Sequence, residues 1–199
     1  MSVAPLALAP PPAPARPRVL LVGTALASAA SFMLFAGLIA VYIAKRTQTV
    51  AATGAWLPQG VTVPLTPGTM GLIIMTMAAV VVQWAVYAIG NDDRTSTYVA
   101  VGVTLLLGAS YLVEMGYYFT QIAIPVRDPS GVGVLLFTIV GAHLAMVGAA
   151  MVFVVVMGFR TLGGQYSARD REGVAAAALF WYTTLAVYAV IWYSVFVIK

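Results

Sequence analysis

Cysteine is absent from this chain, histidine occurs once, and only 8% of the residues are charged. The first absence excludes disulfides, thiolate nucleophiles and Cys-ligated clusters, and it leaves no reading of redox compartment. A single imidazole is too little for a metal centre, because no further ligands stand at matching spacing. Nucleophile–base pairs, phosphate-binding loops and histidine clusters are missing too, so no catalytic residue is assigned. No ladder of charges runs through the apolar segments, which argues against an ion pump or voltage sensor. Matched halves with Gly/Pro-broken spans are lacking, which argues against an inverted-repeat transporter. The net charge of +4 sits at the ends of apolar runs and reads as membrane topology, so no nucleic-acid partner is expected.

What is present is apolar. At 62% hydrophobic over 199 residues, the chain falls in the integral membrane class. The Ala/Pro-rich stretch 1–17 reads as a flexible or polyproline-like tail, since repeated proline removes backbone donors. The apolar run behind Arg18 is too long for a signal-peptide core and is taken as a retained first span. Residues 18–199 then form one membrane domain with spans at about 19–44, 67–89, 98–121, 132–159 and 174–198, each long enough to cross a hydrocarbon core of about 30 Å. Long continuous runs, unlike short alternating strands, make an all-α bundle of five transmembrane helices. Arg16, Arg18, Arg94, Arg160, Arg169 and Arg171 outweigh Lys45, Arg46, Arg127 and Lys199, which puts the N-terminus in the cytoplasm and the C-terminus outside.

The lone His143 lies about 16 Å along the fourth span from Val132, near the midplane of the hydrocarbon core. A polar ring at that depth must face a packed interior or an interface. A His-x-x-Met pair on one helix (His143, Met146) cannot straddle a porphyrin, so His143 reads as a hydrogen-bonded structural residue. Gly141, Ala145 and Ala149 on the same span, and Gly23, Ala27 and Ser31 on the first, recur every four residues and allow close helix approach. Ser31 can also bond its own preceding turn. Trp56, two residues before Pro58, reads as an interfacial anchor, with docking onto a neighbouring subunit as the alternative. On the third span Tyr111, Glu114, Tyr117 and Tyr118 share one face by spacing. Glu114 falls near the outer boundary of the core, either bonded to tyrosine hydroxyls or bridging to another chain; a proton-handling carboxylate is the alternative. The fifth span opens on small residues at 175–178 and continues through Trp181 and Tyr182 to belt aromatics. From the residues alone, this is a non-catalytic helical subunit that packs against other membrane helices.

The order of these features resembles subunit III of the haem–copper oxidases in its short five-helix bacterial form. Ala29-Ala-Ser31-Phe-Met-Leu-Phe-Ala-Gly-Leu38 is similar to the family's Phe-Phe-Ala-Gly-Leu segment, and Gly54-Ala-Trp56-Leu-Pro58 falls where the family has a Trp-Pro-Pro loop. Glu114-Met-Gly-Tyr117-Tyr118-Phe119 resembles the Gln-x-x-Glu-Tyr-Phe run. Gly141-Ala-His143-Leu-Ala-Met146-Val-Gly148 resembles Gly-Phe-His-Gly-x-His-Val-x-Gly, and Phe180-Trp181-Tyr182 resembles the closing Tyr-Trp-His. The likeness covers about 19–199. Ser31 stands where the family has a buried Glu, Tyr117 at the next family Glu, Met146 at its second His, and Tyr182 and Leu185 at the His and Asp of its last span.

The resemblance implies a subunit of a respiratory terminal oxidase in the bacterial cytoplasmic membrane, where oxygen is reduced to water with electrons from cytochrome c or quinol. It implies no cofactor on this chain, with haem and copper held by partner subunits. The implied partners are subunit I, other oxidase subunits and phospholipid. Ser31, Trp56, Glu114, Tyr117, Tyr118, His143, Trp181 and Tyr182 are the implied lipid or helix-interface residues. Two other readings remain open at this point: the accessory subunit of a nitric oxide reductase-type complex, and a small independent transporter or lipid-binding protein.

Overall fold

In a bilayer every backbone N–H and C=O must be satisfied within the segment that carries it, and the apolar runs of this chain do so as helices. The computed structural model describes residues 18–122, 124–127 and 130–198; the 1–17 tail and Lys199 lie outside the described residues. The helices are α1 (Val19–Thr53), α2 (Leu65–Gly90), α3 (Arg94–Gln121), α4 (Val132–Leu162) and α5 (Glu172–Ile191). α5 continues into a π-helical turn, Trp192–Val197. All five are long and apolar enough to cross a membrane.

α1 runs past Ala44 through Lys45 and Arg46 to Thr53. The basic pair is therefore not a helix end. The helix stops at Gly54, whose left-handed φ of 78° lets its N–H bond Val50 O at 2.9 Å.

α5 is the central element. Over its most apolar window 56% of it is buried, against 22% of α1. It packs on α1, α2 and α4, while α2 lies along α3 and α3 along α4. Small side chains at Ala176, Ala177 and Ala178 bury its first turns, followed inward by Trp181, Tyr188 and Ile191. At its start Glu172 Oε1 accepts the Leu21 N–H at 2.9 Å, satisfying an otherwise unpaired donor in the first turn of α1.

The two small-residue stripes are not used for close contacts within this chain. On α4, Ala145 and Ala149 are exposed and no atom lies within 4 Å of where a Cβ would stand on Gly141. On α1, Gly23 and Ala27 are exposed in the same way. Neither stripe makes the close contacts between the described helices, which fall at small residues such as Gly68, Gly71, Gly108 and Gly158.

The α2–α3 turn is fixed from both sides. Asp92 adopts φ 56°, a left-handed conformation that Asp tolerates better than most residues. Its Oδ1 accepts the Ala168 N–H at 2.7 Å, joining this turn to the α4–α5 connection. Asp93 caps α3 by accepting Ser96 N–H at 3.0 Å. Hydrogen bonding from Ser96, first by its side chain and then by its backbone, holds the exposed Asp93 carboxyl below the ordinary carboxylate range. A depressed folded-state value means stability that is present above the unfolded-chain value and lost as pH falls through the folded one. Asp93→Ala is thus expected to lower the melting temperature of the detergent-solubilised chain at neutral pH, with the gap to wild type closing as pH falls through the carboxylate range. Thermal melts at several pH values check this, and a gap that widens on acidification contradicts it.

Candidate functional site

Four helices bring polar groups to one place in the bundle, and the fifth closes it with a phenyl edge. His143 on α4 is fully buried. Its Nε2 lies 3.0 Å from the Thr184 carbonyl oxygen of α5, and its Nδ1 lies 2.8 Å from the Tyr111 hydroxyl of α3. A carbonyl can only accept, so Nε2 carries the proton; a neutral ring then accepts the Tyr111 O–H at Nδ1. Tyr188 of α5 packs on the imidazole with centroids 5.1 Å apart and donates its hydroxyl to Gly68 O of α2 at 2.9 Å. Gly71 makes that reach possible, because a Cβ there would stand 2.6 Å from the Tyr188 oxygen. Phe35 of α1 meets the imidazole edge-on, with centroids at 6.1 Å.

Smaller polar pins surround this junction. Ser28 of α1 and Thr183 of α5 join hydroxyls at 2.8 Å. Trp192 Nε1–H donates to Thr69 Oγ1 at 3.2 Å, and the Tyr182 hydroxyl donates to Gln83 Oε1, so both tie the α5 side of the bundle to α2.

The other implied site residues are scattered rather than gathered. Among the described residues Ser31 bonds only its own helix, at Ala27 O, 2.9 Å away; Ser28, one turn earlier, makes the interhelical contact. Trp56 is no interfacial anchor but is buried at 4% exposure, donating Nε1–H to the Tyr42 hydroxyl at 3.1 Å. A short connection folds it back on α1, and pairing its indole N–H inside the protein avoids leaving it unpaired in hydrocarbon. Tyr111 and Tyr118 point inward while Tyr117 is 57% exposed, so the four α3 residues do not share one face; the helical step separates Tyr117 from its neighbour by about 100°. No tyrosine hydroxyl bonds Glu114 among the described residues, and that side chain sits half-buried on the flank. Trp181 is fully buried against Gly108, where a Cβ would fall 2.9 Å from its ring. The Trp181 indole N–H and the Tyr118 hydroxyl are buried with no hydrogen-bond partner among the described residues.

Reading from residue type overlooked Ser28, Gly68, Gly71 and the Thr184 carbonyl. Ser28, Phe35 and Tyr42 repeat every seven residues along the buried side of α1, a periodicity that marks this face. The backbone carbonyl carries no such mark.

A cleft of about 590 Å³ opens between the N-terminal part of α1 and the facing ends of α4 and α5. Gly23, Ala27, Phe153 and Phe180 make its apolar wall, and Arg160, Tyr166 and the carboxylates of Asp170 and Glu172 stand at its polar part. Arg160 Nε–H donates to Gln165 Oε1 at 2.7 Å, and the guanidinium lies over the Tyr166 ring at 5.2 Å.

Fold and interior define an all-α, multi-pass membrane protein whose central polar residues bond one another. Among the described residues, no group of three or more His, Cys, Asp or Glu could hold a metal ion. A family model described as cytochrome c oxidase subunit III matches residues 15–198. The cytochrome c oxidase subunit 3 of Corynebacterium diphtheriae is 28% identical over 185 residues, covering 92% of this chain and 87% of that protein. That of Strongylocentrotus purpuratus is 27% identical over 145 residues, 71% of this chain and 55% of the relative. That of Pelomedusa subrufa is 23% identical over 160 residues, 79% and 60%. The match therefore spans somewhat over half the length of these last two relatives. The chain belongs to the cytochrome c oxidase subunit III family.

His143→Ala removes both hydrogen bonds and opens a cavity where helices meet, and is expected to cost roughly 3 kcal/mol or more. Tyr111→Phe removes a single intramembrane hydrogen bond, at about 1 kcal/mol. Thermal or denaturant unfolding of the purified variants checks that order; equal, negligible losses contradict it.

Proposed function

We propose that this chain is subunit III of a bacterial haem–copper terminal oxidase. It packs against the catalytic subunit I in the cytoplasmic membrane and seats phospholipid. The observation that carries this reading is the subunit III family match across 15–198, joined by a bacterial relative aligned over nearly its own whole length. Haem and copper belong to the partner subunits. The single imidazole has both ring nitrogens bonded within the bundle, so ligating a metal would cost it one of those bonds. The contribution of this chain to oxygen reduction is therefore mechanical: a rigid apolar scaffold beside the redox subunit.

The N-terminus lies in the cytoplasm and the C-terminus outside. Arg18, Arg94, Arg160, Arg169 and Arg171 collect at one end of the bundle, where α1, α3 and α5 begin and α4 ends. The cleft beside α1 suits a phospholipid, with acyl chains along Gly23, Ala27, Phe153 and Phe180 and the phosphate against Arg160. An arginine fork matches phosphate geometry.

Purification of the tagged chain in mild detergent, followed by partner mass spectrometry and a reduced-minus-oxidised spectrum, tests the assignment. A haem-bearing subunit I should accompany the chain, together with phospholipid that Arg160→Ala depletes. A colourless chain, recovered alone under conditions that keep other respiratory complexes intact, would overturn it.

A further inference from the structure

The Glu114 carboxylate makes no hydrogen bond or ion pair within the bundle among the described residues. α3 turns Tyr111, Met115 and Tyr118 inward, leaving Glu114 half-buried on the flank. Among the described residues nothing donates a hydrogen bond to its carboxylate and no cation pairs with it; the same holds for donors or acceptors to the Tyr117 hydroxyl and the Gln121 amide. These three lie at i, i+3 and i+7 and make one polar line along the helix. Glu114 stands about 30 Å from Arg94 along α3, about 10 Å beyond the middle of the helix. That is still inside a hydrocarbon half-thickness of about 15 Å, where an unpaired carboxylate is costly.

Beside this line runs a regular outward seam. Val99, Leu106 and Val113 alternate with Gly102, Ala109 and Gly116; both sets repeat every seven residues and all six are exposed. A Cβ added at Gly102 or Gly116 would find no atom within 4 Å. Large and small side chains alternating on a seven-residue repeat are the pattern a second helix fills, knob into hole. Fluid acyl chains require no such register.

We propose that this face of α3 docks a transmembrane helix of another oxidase subunit, one that places a basic side chain against Glu114. Tyr117 and Gln121 bond along the rim. The inference rests on the subunit III reading and adds to it the docking face and the chemistry of the partner helix. Charge complementarity selects the occupant: a two-fold contact with a second copy would set carboxylate against carboxylate, and lipid tails offer no donor.

The test places a photo-crosslinking residue at Leu106 or Val113 in cell membranes, with Val152 on the outer side of α4, 63% exposed, as the control. Complex recovery is measured in parallel for Gly116→Leu, which fills the seam without touching the chain's own bundle, and for Glu114→Gln, which removes charge but keeps shape. Adducts to a separate membrane polypeptide are expected from α3 and not from Val152. Each substitution should lower the co-purified partner by about tenfold, the equivalent of roughly 1.4 kcal/mol, while the melting of the isolated chain is unchanged. Adducts between two copies, or only to lipid, overturn the docking assignment. Full partner recovery by both variants also overturns it while leaving the subunit assignment intact, whereas loss of every haem-bearing partner from the wild-type chain overturns both. The crosslinks use otherwise native sequence, so they decide the matter even where a substitution disturbs folding.

Discussion

A polar ring buried in hydrocarbon must have both of its nitrogens satisfied, and this requirement at His143 organises the bundle. In lipid the surroundings of a helix are as apolar as the surfaces packed between helices, so hydrophobicity alone distinguishes poorly between rotations of one helix about its axis. Directional bonds do distinguish them. Nε2–H aimed at the Thr184 carbonyl fixes α4 against α5, and the Tyr111 hydroxyl at Nδ1 fixes α3 against α4. Tyr188, packed at a tilt against the same ring, carries the constraint to Gly68 of α2. Phe35 seals the α1 side.

The remaining interior bonds extend this arrangement toward both ends of the molecule. α1 is tied to α5 through Leu21 and Glu172 near one end, Ser28 and Thr183 further in, and the Arg46 guanidinium on Ile198 O at the other end. α2 receives Tyr182, Tyr188 and Trp192 along its length. Bonding between helices is thus concentrated on α5, while on α3 the side chains of Glu114, Tyr117 and Gln121 have no hydrogen-bond partner among the described residues. The bonds that join the helices lie in the interior, apart from the outer flank of α3 that carries Glu114, Tyr117 and Gln121.

The number of spans and the helical class are legible in the sequence because long apolar runs admit few alternatives in a bilayer. The lone imidazole near midplane also announces a buried, bonded residue. Which face of each helix turns inward is another matter. The spans are apolar all round, so hydropathy gives exposed Leu106 and buried Leu136 the same weight. Small residues mislead for the same reason: Gly141 and Gly23 read as contact positions, yet the close approaches occur at Gly68, Gly71 and Gly108. Trp56 was legible as an aromatic at a boundary but not as a donor to Tyr42, which depends on how the connection folds back. Ser31 and Ser28 differ by one turn, and only the crossing of α1 with α5 selects Ser28. Positions taken from the family resemblance locate the scaffold but do not supply this rotational information.

One neutral imidazole, protonated at Nε2, joins the helices. Because the chain has a single histidine, ¹⁵N-histidine labelling gives an unambiguous solid-state NMR spectrum of the protein in lipid bilayers. One protonated nitrogen assigned to Nε2 and one unprotonated nitrogen assigned to Nδ1 are expected, with the Nδ1 signal shifted in Tyr111→Phe. A proton on Nδ1, an averaged tautomer mixture, or a spectrum indifferent to Tyr111→Phe would contradict it.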